Sequence, residues 1–446
     1  MRFLNAHRAF LRLEVMMLLT SFIAAVAFGN PQDDGALFQK LFPSPSGKNG
    51  YEEYVMAVDY ADRNLWNTYD QWLAYLSRKE QEKKMQSDDD VPPVPPGVSP
   101  EMTDLDVRKI MDEKFSNAIH WISEGNRKGV TSPRREISVD TTFPEYAGFR
   151  LLARVDANKA HVEFADGRTS SAVKDLLEGL KFSQNFFGTS RLSSLVSIGS
   201  QTIVFSEFEN HLSQLSNGDA MDIDRSCKAM LSQPLALKDL LRMEYQAWIN
   251  DLDTIFEKPE ILFVDDKDKS FVNQIAHISP SERENIKPLI VSGLDARMGE
   301  EMRRFDGPET GWMLRDQSPD PVASKSDLSI SNLALIVVNA LQGKAIKTQY
   351  ANAVAKGRIQ LRLLRLHAQV IEYKWQHNKL PTKLEDFAKD HAGFDPIANE
   401  PFHYELKDGS YRIYSMGIPG LGRMELRYRN TVPPKPSPDT PLPPTQ

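Results

Sequence analysis

Apolar side chains recur with helical spacing along most of this chain. Tyr51, Tyr54, Val55 and Val58 stand at positions i, i+3, i+4 and i+7, and the spacing returns between residues 69 and 76. Such spacing places an apolar stripe on one face of a helix, whereas the alternation that marks a strand is scarce until the C-terminal part. The sequence therefore predicts a mainly α-helical protein with an irregular multi-helix body, since no fixed repeat period holds.

Capping signals support further helices in the body. Thr103 and Asp106 have the spacing of a capping box, and Thr189 or Ser190 can cap a later helix. Additional helices are predicted over residues 237–255, 281–304, 326–341 and 345–377. We expect their apolar stripes to form core rather than a cofactor site.

A different pattern follows the last long helix. Alternating residues 403–406 and 411–414 flank Asp408-Gly409, and Asp-Gly between such runs is the strongest short-range signal for a β-hairpin. Residues 424–428 can add a third strand. Thr382 and Glu385 have capping-box spacing before a short helix. The sequence therefore predicts a small C-terminal α+β module, a helix plus an antiparallel hairpin.

Composition and pattern divide the chain into six segments. They are a signal peptide or membrane anchor (1–27), an N-terminal helical hairpin (28–86), a proline-rich linker (87–102), a helical body (103–344), a long helix with the α+β module (345–430) and a disordered proline-rich tail (431–446). Proline fixes φ and removes donors, so we expect the linker to be extended and exposed.

The first 27 residues have the features of a secretory signal peptide. Arg2, Arg8 and Arg12 form a positive leader, an apolar run follows, and Ala25-Val26-Ala27 places small residues at a cleavage site. The apolar run is shorter than the ~20 residues that span a membrane. We therefore expect export, cleavage after Ala27, and a location in the periplasm or envelope.

A second interpretation of the N-terminus stays open. Phe10 followed by Glu14 at the fifth position resembles the start of a type IV prepilin. In that family this segment remains as a membrane helix, which would make residues 10–29 an anchor. The sequence departs from the family at Ala9, where glycine is expected, and at Arg12, where an apolar residue is expected.

The C-terminal module carries an ordered set of features between residues 358 and 423. They are a long helix, Asn378-Lys379-Leu380-Pro381, a short helix, Asp395-Pro396, the hairpin and Ser415-Met416-Gly417. This segment resembles the periplasmic module of type II secretion major pseudopilins. The pattern also resembles the ends of large, uncharacterised exported helical proteins of bacteria. Members of the pseudopilin family bind calcium through acidic residues after this point, but residues 418–422 supply no carboxylate, so we expect no calcium at this loop.

Signatures of catalysis are missing from the sequence. It contains no His-Glu-x-x-His, Cys-x-x-Cys, phosphate loop or Gly-x-Ser-x-Gly elbow, and residues 44–48 are interpreted as a plain loop. Cys227 is the only cysteine and is predicted to be a small buried apolar residue. A net charge of −7 argues against nucleic acid as a partner. We expect no cofactor and no metal.

Three sets of polar residues are weak candidates for metal binding. Residues 217–224 are interpreted as a solvated acidic loop, because they lack the glycine and final glutamate of an EF-hand, and residues 265–268 fail the same test. His367, Glu372 and His377 are five residues apart, which rotates successive side chains by about 140° on a helix. They cannot share a face, so no metal site is predicted there.

Glu244 is the one weak candidate for a catalytic residue. It lies on the apolar stripe of residues 237–252, where a charge costs several kcal/mol unless it is paired. One interpretation is an acid or base with a raised pKa in a cleft. The interpretation we favour is a buried ion pair with an arginine of a neighbouring helix, such as Arg297 or Arg358.

These observations favour an exported, non-catalytic helical scaffold or interaction protein of the bacterial envelope, with protein partners. Two alternatives remain. One is an exported hydrolase with dispersed catalytic residues around Glu244, and the other is a subunit associated with a pilus or a type II secretion system.

Overall fold

The computed structural model describes residues 37–62, 71–78 without 73, 97–134 without 100, 137–138, 141–235, 237–262, 269–305, 329–342, 344–417 and 423–428. Within these residues a large helical body precedes a small antiparallel sheet, so the predicted class, mainly α with a C-terminal α+β module, is confirmed. Among the described helices, none combines the length and the apolar character needed to cross a membrane.

The α-helices follow one another from Leu37 to His377. In chain order they are α1 (Leu37–Leu41), α2 (Gly50–Asp62), α3 (Asp104–Arg127), α4 (Glu145–Ala165), α5 (Thr169–Asn185), α6 (Arg191–His211), α7 (Asn217–Ser232), α8 (Leu237–Asn250), α9 (Leu252–Glu257), α10 (Lys269–Ala276), α11 (Pro280–Arg304), α12 (Ile330–Gln342) and α13 (Lys344–His377). Residues 71–72 and 74–78 are also helical. Short 3-10 turns cover Leu212–Gln214, Pro259–Leu262 and Leu384–Asp386.

The strands follow α13. Strands β1 (Phe394–Asp395) and β2 (Glu400–Pro401) pair antiparallel, and β3 (His403–Lys407), β4 (Ser410–Ser415) and β5 (Met424–Arg427) form an antiparallel sheet in that order. Asp408 and Gly409 both have positive φ, 51° and 73°, as a two-residue hairpin turn of the primed type requires. The predicted hairpin and third strand are therefore confirmed.

Capping boxes fix where several helices begin. The Thr103 hydroxyl accepts a hydrogen bond from the Asp106 N–H, and the Asp106 carboxylate accepts one from the Thr103 N–H, as predicted. Of the two predicted caps of α6, Ser190 is the one used. The predicted box at Thr382 is wrong, because Asp386 rather than Glu385 accepts the Thr382 N–H and hydroxyl and closes a 3-10 turn.

Two predicted elements differ from the structure. The helix predicted over 237–255 is divided, since α8 ends at Asn250 and α9 begins at Leu252. The loop predicted over 217–224 is the start of α7, where the Ser216 hydroxyl and the Asp219 carboxylate form a capping box. An acidic residue in a first helical turn is stabilised by the helix dipole, so Asp219 serves the helix rather than a calcium ion.

Several predicted features lie outside the described residues. They are the leader (1–27), the acidic residues 265–268, the loop 418–422, the tail (431–446) and most of the linker (87–102). Elsewhere, the predicted loop at residues 44–48 is not helical, and the Cys227 side chain is fully buried, both as predicted.

Apolar side chains pack into three cores. The N-terminal core is built mainly from α1 to α5 and the helical residues 71–78, and it is rich in edge-to-face aromatic pairs such as Tyr54 on Phe182, 4.7 Å between centroids. The central core joins α4 to α7 with α13 and the strands. The lateral core joins α8 to α12 with parts of α6 and the start of α13. Residues from the predicted segments 28–86 and 103–344 share the N-terminal core.

Helix α13 connects the body to the C-terminal module. Nearly every side chain from Val354 to Ile371 is buried, on all sides of the helix. A surface helix buries one apolar stripe and exposes its opposite face to solvent, whereas a helix that is buried on all sides lies in the protein interior. The sheet therefore packs on a helix that is already part of the body.

Close helix contacts in the N-terminal core depend on glycine. A Cβ atom at Gly148 of α4 would lie 2.3 Å from Cγ1 of Val58 in α2, whereas a Cβ at Gly199 of α6 would meet nothing within 4 Å. Val58 is itself buried and cannot swing away. The two glycines are thus a matched pair, since both are helical and only one is at a contact.

We predict opposite effects of alanine at these two positions. Gly148→Ala should lower the free energy of unfolding by ~1–3 kcal/mol through overpacking. Gly199→Ala should raise it by ~0.5–1 kcal/mol, because alanine is the better helix former. Urea denaturation followed by circular dichroism measures both. Stabilisation by Gly148→Ala would contradict the close approach of α2 and α4.

Candidate functional site

Glu244, the candidate acid of the sequence, lies in α8 against the first residue of α6. Its Oε2 is 2.8 Å from Nε of Arg191, and its Oε1 accepts a hydrogen bond from the Arg191 backbone N–H at 2.5 Å. Arg191 also donates from Nη2 to Oε2 of Glu301 at 2.7 Å. The Tyr245 hydroxyl donates to the same Glu301 oxygen at 2.8 Å. We call these four residues the Arg191 network.

The predicted arginine partners of Glu244 are wrong. Nη1 of Arg297 lies 3.5 Å from Oε2 of Glu300. Arg358 donates to the backbone carbonyls of Met230 and Leu231. Arg191 supplies both its guanidinium and a backbone N–H at the positive end of α6, so it offers Glu244 more than a side chain alone could. Arg191 is 53 residues from Glu244 in the chain, so no local sequence pattern identifies it as the partner.

The electrostatics of the Arg191 network follow from burial. Burial raises the pKa of the Glu244 carboxyl, and the charge and backbone N–H of Arg191 act against that rise. Tyr245, Trp248 and Tyr350 place their rings 5.4 to 6.0 Å from the guanidinium carbon, within the range of a cation–π contact. Both oxygens of Glu244 contact Arg191, so the arrangement favours the ion-pair interpretation over a catalytic one.

A second polar cluster lies at the α4–α6 interface and has the composition of a metal site. His161 of α4 and Glu207 and His211 of α6 are the one group of three potential ligands that converges among the described residues, with all ligand atoms within 4.8 Å of one another. Oε1 of Glu207 is 2.9 Å from Nδ1 of His161 and 2.8 Å from Nε2 of His211. We call these three residues the His-Glu-His cluster.

Local packing holds the His-Glu-His cluster in place. Glu207 and His211 are four residues apart and share one face of α6. The ring of Phe164 stacks flat on His211, with centroids 4.0 Å apart and planes 8° apart. The side chains of His161, Glu207 and His211 expose 33%, 14% and 13% of their area, so solvent reaches the cluster from the His161 side.

Charge in the His-Glu-His cluster favours an ionised carboxylate. Burial alone would raise the pKa of Glu207, but its hydrogen bonds and charge interactions with His161 and His211 lower it to about 2. Sequence analysis missed this cluster because α4 brings in His161 from 46 residues away. The Glu-x-x-x-His spacing of residues 207–211 was the only local signal.

The three polar residues considered on α13 go to separate partners. Nε2 of His367 lies 3.0 Å from the Leu426 carbonyl, to which it donates, and Nδ1 lies 3.1 Å from the Tyr411 hydroxyl. Burial lowers the pKa of His367 to about 3, although the hydrogen bond to Leu426 acts in the opposite direction. Glu372 pairs with Lys389 at 2.6 Å, and His377 packs edge-on against Tyr373. His367 therefore joins α13 to the sheet as a neutral ring.

Carboxyl groups also crowd the contact between α4 and α5. Asp156 is 2% exposed, and its Oδ2 has no hydrogen-bond partner among the described residues. Gly179 makes room for it, since a Cβ there would lie 2.2 Å from that oxygen. Burial and then the nearby charge of Asp175 raise the pKa of Asp156 well above its usual range, while Lys159 opposes the shift. The protonated form is therefore favoured.

One prediction concerns the Arg191 network. Arg191→Ala should lower the free energy of unfolding by ~3–5 kcal/mol, because it leaves two buried carboxylates without their cation. Arg242→Ala is the control. Its pair with Asp239 is exposed and spaced i,i+3, so its loss should change stability by less than ~1 kcal/mol. Equal effects of the two substitutions in chemical denaturation would contradict the burial of the network.

Another prediction concerns Asp156 and pH. An unfolded aspartate loses its proton near pH ~3.9, while the folded state keeps it to higher pH. Stability due to this group is thus fully present below that pH and falls, by up to ~1.4 kcal/mol per pH unit, as pH rises towards the folded pKa. Asp156→Asn should remove this decline in thermal melts, whereas the exposed control Asp222→Asn should keep it. Parallel pH profiles of all three proteins would contradict the prediction.

Comparison with known proteins gives this chain no relative: no protein-family model, curated protein or solved structure matches it.

Proposed function

We propose that this chain is an exported, non-catalytic scaffold protein of the bacterial envelope, and that its C-terminal α+β module contacts other proteins. The observation that carries the proposal is the position of the two most exposed large apolar side chains among the described residues, Trp375 at 61% and Met416 at 53%. Both belong to the module, where Phe394 and Leu406 are also exposed. The other exposed large apolar side chains, Met221, Ile261, Leu289 and Ile330, are less exposed than these two and are scattered over the helical body.

Solvent-exposed tryptophan is a frequent anchor of protein interfaces, because a large ring gains much from desolvation. Trp375 lies in the last turn of α13, about 200° around the helix from Tyr373, which packs against the central core. Isolated exposed leucines are ordinary on a protein surface. A mostly exposed tryptophan at the end of a rigid interior helix is a better candidate for a contact residue.

Packing between α13 and the sheet supports the resemblance to the pseudopilin module. Strands β4 and β5 lie against α13, and His367 hydrogen-bonds to both of them through Tyr411 and Leu426. A long helix covered by a small antiparallel sheet is what that resemblance implies. Export itself is proposed from the leader-like residues 1–27 and from the resemblance.

Rigid connection to the body supports a scaffold role. Arg365 of α13 pairs with Asp224 of α7 at 2.9 Å and with Asp390 of the module at 3.2 Å. Gln369 donates to Asp224 and accepts from the Lys389 N–H. A partner held at the module is therefore held at a fixed position relative to the helical body.

The test is association of the full chain with the envelope of an expressing bacterium. We expect wild-type protein to co-sediment with envelope fractions. Trp375→Ser should weaken that association by at least ~10-fold, the order of effect of an aromatic anchor. Leu289→Ser, at an exposed position of α11, is the matched control and should behave as wild type. Wild-type protein that stays free in the soluble exported fraction would overturn the proposal.

The mature N-terminus separates the scaffold from the pilus-associated alternative. The scaffold proposal expects a start at Phe28, after cleavage behind Ala27. A start at methylated Phe10 would favour a pilus or type II secretion subunit instead. Mass spectrometry of the purified protein reads this directly.

A further inference from the structure

We propose that the His-Glu-His cluster of His161, Glu207 and His211 binds a divalent transition-metal ion, with zinc as the preferred ion. This inference is independent of the scaffold proposal. It rests on donor type, convergence and access, and it concerns binding only.

Donor chemistry points to zinc rather than to a hard cation. Two imidazole nitrogens and one carboxylate oxygen form the ligand set of a common class of zinc site with three protein ligands. Imidazole suits first-row transition metals, whereas calcium and magnesium take oxygen ligands almost exclusively. The nitrogen and oxygen atoms that would bind are Nδ1 of His161, Oε1 of Glu207 and Nε2 of His211.

The distances fit an ion after a small adjustment. Two ligand atoms of a tetrahedral zinc ion lie ~3.3 Å apart, given bonds of ~2.0–2.1 Å. The present contacts from Glu207 Oε1 are 2.9 Å and 2.8 Å, so this oxygen needs to separate from each nitrogen by about half an ångström. All three ligand atoms already lie within 4.8 Å of one another.

Access and support complete the fit. His161 exposes 33% of its side chain, so an ion can enter from solvent and keep a water molecule as a further ligand. Phe164 fixes the plane of the His211 ring, and His161 meets that ring nearly edge-on at 5.7 Å. Preorganised rings reduce the entropy lost on binding.

The competing explanation is that Glu207 simply accepts a hydrogen bond from each ring. Metal binding through the same nitrogens moves each ring proton to the opposite nitrogen or releases it. For His211 the opposite nitrogen, Nδ1, is buried and has no hydrogen-bond partner among the described residues. A ligating histidine without such a partner typically binds ~10- to 100-fold more weakly. We therefore expect a site of moderate affinity.

Calorimetric titration of the tag-free full chain with Zn²⁺ tests the proposal. We expect one ion per chain, and titration with Co²⁺ should give the intense visible absorption of a tetrahedral complex. Glu207→Gln and His161→Gln should weaken Zn²⁺ binding by at least ~10-fold. Glu207→Gln keeps an acceptor oxygen for the ring N–H groups, so it separates loss of ligation from loss of folding. Ca²⁺ should not bind at the cluster.

His120→Gln is the matched control, because His120 is an exposed histidine of the neighbouring helix α3. It should bind Zn²⁺ as wild type does. Circular dichroism establishes that each variant is folded. If a variant does not fold, X-ray absorption spectroscopy of the zinc-loaded wild-type protein tests the proposal instead. Two imidazole ligands are then expected at the ion. Absence of Zn²⁺ binding, unchanged affinity in both cluster variants, or fewer than two imidazoles at the ion would overturn the proposal.

Discussion

Burial of the middle of α13, from Val354 to Ile371, is the constraint on which the rest of the structure depends. The buried polar side chains of this stretch have no solvent to meet, so each must find a partner on a neighbouring element. Arg358 reaches carbonyls at the end of α7, Arg365 and Gln369 share Asp224, and His367 meets the sheet. These contacts fix the position of α7 and the module around one axis. An apolar helix could slide along its neighbours, but a helix with these partners has a single register.

Three carboxyl groups that are fully or largely buried show how strongly the surroundings decide the state of the same chemical group. Glu244 lies against a guanidinium and a helix N-terminus, Asp156 lies among other acids, and Glu207 lies between two imidazoles. Burial opposes ionisation in all three. Only at Glu207 do the neighbours lower the pKa well below its ordinary value. Of the three, Glu207 is therefore the carboxyl whose surroundings most favour the charged form.

Local signals in the sequence were sufficient for the class of fold and for much of its detail. Helical stripes, the Thr103 box and the Asp408-Gly409 turn depend on residues within a few positions of each other, so a single sequence contains them. The partner of Glu244 depends on packing between distant helices. His161 likewise meets Glu207 only after α4 and α6 are side by side. The candidate metal site was thus outside the reach of sequence analysis, while the candidate acid at Glu244 was visible but wrongly partnered.

The place of α13 in the chain also sets an order of assembly. Among the described residues, the N-terminal core contains none beyond Val196, so the contacts seen in this core can form once the first half of the chain has been made. The central and lateral cores both require α13, which begins at Lys344. Contacts between distant segments form late, because loop closure must come first. During synthesis, the central core therefore stays incomplete until α13 has emerged, whereas the lateral core, built mostly from α8 to α12, then lacks only a few side chains from the start of α13.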